Sequence, residues 1–346
     1  MLVVNDPLDD VGHEDPGHPE RPDRLVAVRD GIADLGLGSD LVAVAARAAT
    51  RGELATVHQS AYLDELGAFC YEGGGDIDED TYATYDSWAL AQLAAGAGLA
   101  VVEELRRRDA GVGFVAVRPP GHHALPDRAM GFCLLNNVAV AAAALRRDGE
   151  RVLIIDWDVH HGNGTQTIFW NDPDVLYVST HQWPLFPGSG VASEIGGLDA
   201  VGATINLPLP AGATGDVVRR ALDEVATPEI EEFAPTWVLV SAGFDGHRAD
   251  PMADFALSSG DFAHLASWAR GFAPRDGRLA LFLEGGYDLT ALRHSVTATL
   301  AATLGDAMAS EGETSGGPGE DVIRRTMRER ASTLELVRDE LSGRES

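Results

Sequence analysis

Asp156, Asp158 and His160 stand at alternate positions at the end of an apolar run, and Asp245 follows another. On extended backbone, side chains two residues apart share one face. Asp158 and His160 are therefore a candidate pair of metal ligands, with Asp245 as a third. Two carboxylates and one imidazole leave a coordination position open, which distinguishes a catalytic metal site from a closed structural one. Zinc suits this set, and iron(II) or cobalt would accept it too. His122-His123 follow the turn Pro119-Pro120-Gly121. Adjacent imidazoles can supply a general base and a general acid, and Asp156 is a candidate to hold the far nitrogen of one of them. Tyr287 follows Gly285-Gly286. A phenol beside a polarised carbonyl can donate to a developing oxyanion, a contribution typically worth about 3 kcal/mol. Taken singly, each feature has a plainer reading: aspartates capping a loop, a packed histidine, a buried tyrosine with a satisfied hydroxyl. It is their company that points to one site.

The elements that must position them are short apolar runs. Val112–Val117 leads to Arg118 and the paired histidines, and Val152–Ile155 to Asp156. Val175–Val178 leads to Ser179-Thr180-His181, Trp237–Val240 to Ser241 and Asp245, and Leu279–Leu283 to Glu284 and Tyr287. Continuously apolar runs of this length, separated by helix-like segments, read as buried strands of a parallel sheet. The segments Pro22 to about Leu35, Ser87–Arg108, Asn137–Arg147, Asp216–Phe233, Asp261–Arg270 and Leu289–Leu304 supply the helices. The expectation is an α/β fold, a central parallel sheet with helices on both faces. Ligands of such sheets bind beyond the carboxyl ends of the strands.

Residues 1–30 read as loop, and Gly73–Asp80 as a flexible acidic loop. A catalytic domain is expected over residues 1–305. Beyond it, residues 306–346 form a Gly-rich linker, Glu311–Gly319, and a charged, helical tail over Glu320–Glu345. The tail is expected to be dispensable for chemistry, though free to pack or to dimerise.

The formal charge is −28, and all 26 basic residues are arginine. Such a surface repels phosphate backbones, which argues against nucleic-acid binding. It either steers cationic substrates or reflects habitat and coding bias. No stretch reads as long enough to span a membrane, and the N-terminus lacks signal-peptide character. The 2 cysteines, Cys70 and Cys133, form no CxxC pair, against a disulfide scaffold or a cysteine-bound zinc. A cytoplasmic enzyme is the expectation, with an oligomer left open.

Arg118-Pro-Pro-Gly-His-His123, Gly131-Phe-Cys-Leu-Leu-Asn136, Asp156-Trp-Asp-Val-His-His-Gly-Asn-Gly-Thr-Gln166, Ser241-Ala-Gly-Phe-Asp245 and Leu283-Glu-Gly-Gly-Tyr287 resemble, in order, the motifs of the zinc-dependent histone deacetylase family. That family includes acetoin-utilisation proteins and acetylpolyamine amidohydrolases. The resemblance runs from about His18 to Leu304 and is nearest to class II and bacterial members, because Asn163 and Phe244 stand in their motifs.

The resemblance implies an arginase-deacetylase fold. It assigns zinc to Asp158, His160 and Asp245, and catalysis to His122, His123 and Tyr287, with Asp156 orienting His122. Many relatives back the second histidine with an aspartate where this chain has Asn163. Phe132 and Phe186 would wall the substrate's aliphatic stem, and the Gly131 carbonyl would accept its amide proton. A structural potassium would take Asp156, Asp158, His160, Ser179 and Thr180. Polyamine-selective relatives can carry a glutamate where Met252 stands, so Met252 favours acyl-lysine. The acids Asp76, Asp78, Glu79 and Asp80 cut the other way.

The leading expectation is a metal-dependent amidohydrolase removing acetyl or related acyl groups from protein lysines. The alternative substrate is a small acylated amine such as an N-acetylpolyamine. A non-catalytic acyl-lysine binder is disfavoured by the complete residue set. A binuclear manganese ureohydrolase is disfavoured by the shortage of bridging aspartates.

Overall fold

The computed structural model describes residues 1–8 and 10–344. Among the described residues, eight strands form one parallel sheet. In chain order they are β1 (Leu2–Asn5) and β2 (Leu41–Val44), then, after a separate ribbon of β3 (Gly74–Asp76) and β4 (Tyr82–Thr84), β5 (Val112–Val115), β6 (Val152–Asp156), β7 (Val175–Gln182), β8 (Thr204–Leu209), β9 (Trp237–Ala242) and β10 (Leu279–Leu283). Their order across the sheet is β2-β1-β5-β10-β9-β6-β7-β8.

Helices cover both faces. Against one face lies α1 (Asp23–Asp34), whereas the short α2 (Arg51–Leu54) places Leu54 in the core of the other. That opposite face carries α3 (Ser60–Tyr71), α4 (Ser87–Arg108) and α5 (Asn137–Arg147). After α6 (Asn163–Ile168), the remaining helices are α7 (Gly215–Ala221), α8 (Thr227–Phe233), α9 (Ser259–Gly271), α10 (Leu289–Leu304) and α11 (Glu320–Arg344). Leu25 and Val28 of α1, Phe262 of α9 and Val296 of α10 share one core with Val240 and Leu281 of the sheet. Leu90 and Val101 of α4 and Val138 of α5 share the other with Ile154 and Phe282. The central strands are buried on both faces, and burial on both sides is why they read as continuous apolar runs.

Several expectations are corrected here. Residues 1–30 are not all loop, because Leu2–Asn5 forms β1 and pairs with β5. Edge strand β2 alternates exposed and half-buried residues, so it carries no apolar run. Edge strand β8 is interrupted in pattern by Asn206 and Pro208, and proline is tolerated where a strand has no neighbour on one side. Gly73–Asp80 is not a free loop, since Gly74–Asp76 pairs antiparallel with Tyr82–Thr84. The helix expected over Asp216–Phe233 switches register in a π turn at Leu222–Ala226. Pro228, in the first turn of α8, has no N–H to continue the α-helical ladder. By length and hydropathy α4 could cross a membrane after all, but 67% of its apolar window is buried inside this molecule.

The segment after α10 is not loose either. Thr314 bonds Asp261 and the backbone of Gly215, and Gly317 bonds Thr214. Helix α11 then lies along β8, where the buried Arg330 donates to the carbonyls of Thr204 and Gly202. Glu345 and Ser346, at the end of the expected tail, lie outside the described residues.

Candidate active site

Asp156 pairs in register with Ser179 of β7 on one side and Ser241 of β9 on the other, so three strand ends lie level. The chemistry-bearing segments leave the sheet just beyond this line, after β5, β6, β9 and β10. Asp156 is the last strand residue, and the N–H of Trp157 after it still bonds the Ser241 carbonyl at 3.2 Å. The Asp156 side chain accepts the Asp158 N–H through Oδ1 at 3.2 Å, but it is not part of the cluster that Asp158 and His160 form. It points back to His122 Nδ1 at 3.0 Å and accepts the Tyr177 hydroxyl at 3.1 Å.

Asp158 and His160 meet Asp245 instead, with one ligand atom from each lying within 4.8 Å of the others. His160 Nδ1 is 3.2 Å from Asp158 Oδ1 and 3.1 Å from Asp245 Oδ2. The other carboxylate oxygens are held by backbone: Gly285 N–H donates to Asp158 Oδ2 at 2.8 Å and Val159 N–H to Asp245 Oδ1 at 3.0 Å. A Cβ at Gly285 would lie 2.2 Å from Asp245 Oδ2, so only glycine lets this backbone approach so closely. Burial, and then the charge of Asp158, pushes the Asp245 carboxyl up to about 7. Two buried carboxylates forced together with one imidazole make an O, N, O set that fits a divalent cation, whose charge would relieve the repulsion.

The tandem histidines are tuned apart. Burial alone would depress His122, but the charges of Asp156 and Asp158 outweigh it and push the imidazolium up to about 10. His123 is held well below the ordinary histidine value by burial and by the neighbouring charges of His122 and His160. Its Nδ1 lies 2.7 Å from the amide oxygen of Asn163, so Nδ1 carries the proton and Nε2 is left as the acceptor.

These groups floor a cavity of about 180 Å³. Phe132, Leu185, Phe186 and Met252 line it, together with Gly131, Tyr287 and Asp80. Gly131 and Phe132 adopt left-handed φ values of 55° and 68° in succession. The second is strained for a phenylalanine, and it is held where Phe132 N–H donates to Thr81 Oγ1 at 3.1 Å and His18 stacks edge-on at 4.6 Å. Of the ribbon acids, Asp80 reaches the cavity, whereas Asp78 accepts the backbone N–H groups of Asp80 and Thr81. Asp76 and Glu79 are exposed on the ribbon and its turn. Ser179 and Thr180 are buried on β7 beside Asp156, with Ser179 Oγ 2.9 Å from His181 Nδ1.

Residues that sequence reasoning passed over complete the site. Glu284 is wholly buried, and its Oε2 accepts the N–H groups of Gly121 and His122 at 2.7 and 3.1 Å. Its place between an apolar strand and Gly285-Gly286-Tyr287 was the available signal. Arg24 lies 4.8 Å over the Tyr287 ring and donates to the Gly286 and Glu284 carbonyls. Asp250 accepts the N–H of Tyr287. No local pattern marked the last two.

A parallel sheet with hydrolytic groups at its carboxyl edge, an Asp, His, Asp trio and a narrow apolar cavity define a hydrolase of the arginase-deacetylase architecture. The chain matches the family model described as the histone deacetylase domain over residues 18–303. It is 40% identical to histone deacetylase 10, chloroplastic, of Oryza sativa subsp. japonica, over 86% of this chain and 72% of that one. It is 38% identical to the histone deacetylase-like amidohydrolase of Pseudomonas aeruginosa, over 78% of this chain and 73% of that one. The crystal structure of the HDA15 HD domain superposes with a TM-score of 0.86 at 34% identity, covering 98% of this chain and 99% of that one. The chain belongs to the histone deacetylase family, and it is a deacetylase-type hydrolase.

Proposed function

We propose that this chain is a zinc-dependent amidohydrolase that removes acetyl or related acyl groups from lysine side chains of proteins. The observation that carries the reading is Tyr287, whose ring lines the cavity while its hydroxyl has no protein hydrogen-bond partner among the described residues. A donor left open beside a cation-ready trio is what an acyl carbonyl needs. Asp158, His160 and Asp245 would hold the zinc. When bound, the metal supplies Lewis acidity to the acyl carbonyl and to water.

The remaining work falls to the chain's own groups. His123 Nε2, with its partner nitrogen fixed by Asn163, takes a proton from water and delivers it to the departing amine. His122, paired with Asp156, stays charged and favours the negative charge that develops in the tetrahedral state. Tyr287 donates its O–H to that oxygen. Gly131 carbonyl accepts the substrate amide N–H. Phe132 and Phe186 enclose the aliphatic stem, whose four methylenes gain roughly 0.8 kcal/mol each on burial. A potassium held by Asp156, Asp158, His160, Ser179 and Thr180 would steady the floor. An intracellular, cytoplasmic setting suits an enzyme acting on protein lysines.

A second reading, hydrolysis of N-acetylpolyamines, is favoured by one observation. Asp80 is an acid on the cavity wall, able to meet a distal ammonium. The deciding experiment compares kcat/KM for an acetyl-lysine peptide and for N-acetylated putrescine and spermidine, with Tyr287→Phe as control. Tyr287→Phe is expected to lower kcat by about 10²–10³-fold at nearly unchanged KM. Peptide preference supports the first reading, and polyamine preference moves the assignment to the second. Turnover that ignores Tyr287 would sink both.

A further inference from the structure

The stretch from Asp306 to Gly319 has the composition of a linker, and it lies beyond the 18–303 span of the family match. Yet Glu311 in it is bound to the loop that follows the third trio residue. Its Oε2 is 2.7 Å from His247 Nε2 and accepts the Ser259 N–H at 3.1 Å, while Oε1 accepts from Arg248. The Glu311 N–H returns to Ser259 Oγ at 3.2 Å, and a Cβ on Gly260 would lie 2.6 Å from the Glu311 carbonyl. The contact is close and two-sided.

From His247 the bonding runs straight to Tyr287. His247 Nδ1 accepts the Ala249 N–H at 3.1 Å, so its Nε2 carries the proton and donates to Glu311. The His247 carbonyl accepts the Asp250 N–H at 2.8 Å. The Asp250 carboxylate, 6% exposed, accepts the N–H groups of Tyr287 at 2.6 Å and Asp288 at 3.0 Å through Oδ2, and that of Met252 through Oδ1. The peptide before Tyr287 contains two glycines and holds Gly286 at φ 118°, a backbone with little stiffness of its own. Its position has to come from outside.

We propose that residues 306–319 act as a strap that positions Tyr287, with Glu311 and Asp250 as positioning residues working through the 247–250 turn. The assignment rests on the reading of Tyr287 as the hydroxyl donor. A strap that merely stabilised the fold would have no reason to act through one phenol. A strap that acted through Asp245 would disturb the metal trio instead.

The test uses the full chain and a double-mutant cycle. Glu311→Gln and Asp250→Asn are each made alone and combined with Tyr287→Phe, and kcat and KM are measured with zinc-loaded enzyme. Each is expected to lower kcat on the order of 10-fold to 100-fold at nearly constant KM, and to cost nothing further in the Tyr287→Phe background. Equal losses in both backgrounds overturn the proposal, as would an unchanged kcat. Amide hydrogen exchange supplies a readout independent of turnover. The Tyr287 and Asp288 amides are expected to exchange faster in Glu311→Gln than in the parent, with the β6 amides unaffected. If the parent hydrolyses neither substrate class, the functional reading fails, and the exchange arm alone decides the strap: unchanged Tyr287 and Asp288 exchange removes it.

Discussion

Glu284 Oε2 accepts the backbone N–H of His122 at 3.1 Å from a site that is wholly buried, tying the end of β10 to the turn after β5. Burial pushes this carboxyl up to about 7. Its other oxygen accepts the Ser241 hydroxyl at 3.1 Å, so the group joins three strand ends at once.

Glu284→Gln should remain folded, since an amide oxygen can still take both N–H groups and the rotatable Ser241 hydroxyl can face the new NH₂. Glu284→Ala strands two buried backbone N–H donors and the Ser241 hydroxyl and leaves a void, and is expected to lose about 3 kcal/mol or more. Urea unfolding of the two variants checks this. Equal stabilities would mean that the carboxylate is not what holds the histidine turn.

That tie also shows where sequence reading runs out. The central strands were legible because burial on both faces writes a continuous apolar run, as in Val152–Ile155. The helices α4, α5 and α10 were legible to the residue because their apolar faces and their ends are locally encoded. Strands β1, β2 and β8 were not, being short or at an edge where partners far along the chain decide the state. The trio, the histidines and Tyr287 could be singled out because each ends a recognisable run. The contacts that aim them could not be, since Glu284 to His122 spans 162 positions and Asp250 to Tyr287 spans 37.

A metal held by Asp158, His160 and Asp245 stabilises the folded chain by mass action, by about 4 kcal/mol when free metal is 1,000 times Kd. Thermal unfolding with zinc should therefore exceed that in chelator, and Asp245→Asn should erase most of the difference. The variant should be no less stable than the parent in chelator, because it removes a carboxylate that burial and Asp158 already oppose. Identical melting with zinc and with chelator would leave the trio without a metal role.

The last expectation concerns pH. Glu20 is buried with Arg24 and Arg118, accepting from Arg24 Nη1 at 3.0 Å and from Arg118 Nε and Nη2 at 2.5 and 2.7 Å. Burial pushes its carboxyl up, but His13 and the two guanidinium groups outweigh that and hold it well below the usual carboxylate range. A folded-state value depressed below the unfolded one, near 4.3 for glutamate, contributes stability that is fully present above about pH 4.3. That contribution drains away as pH falls through the folded-state value, because the unfolded chain takes up the proton first. Glu20→Gln leaves Arg24 without its carboxylate and Arg118 with Asp10 as its remaining charge partner, and is expected to cost about 3–5 kcal/mol at pH 7. Below about pH 4 the parent loses the same advantage, so the gap between the two should narrow. Urea unfolding of both proteins from pH 3 to pH 7 measures it, and the other carboxylates cancel in the difference. A gap that stayed constant with pH would mean that Glu20 supports the fold by shape rather than by charge. Tyr287 should feel the change as well, because Arg24, fixed by Glu20, lies over its ring and donates to the carbonyls of Glu284 and Gly286.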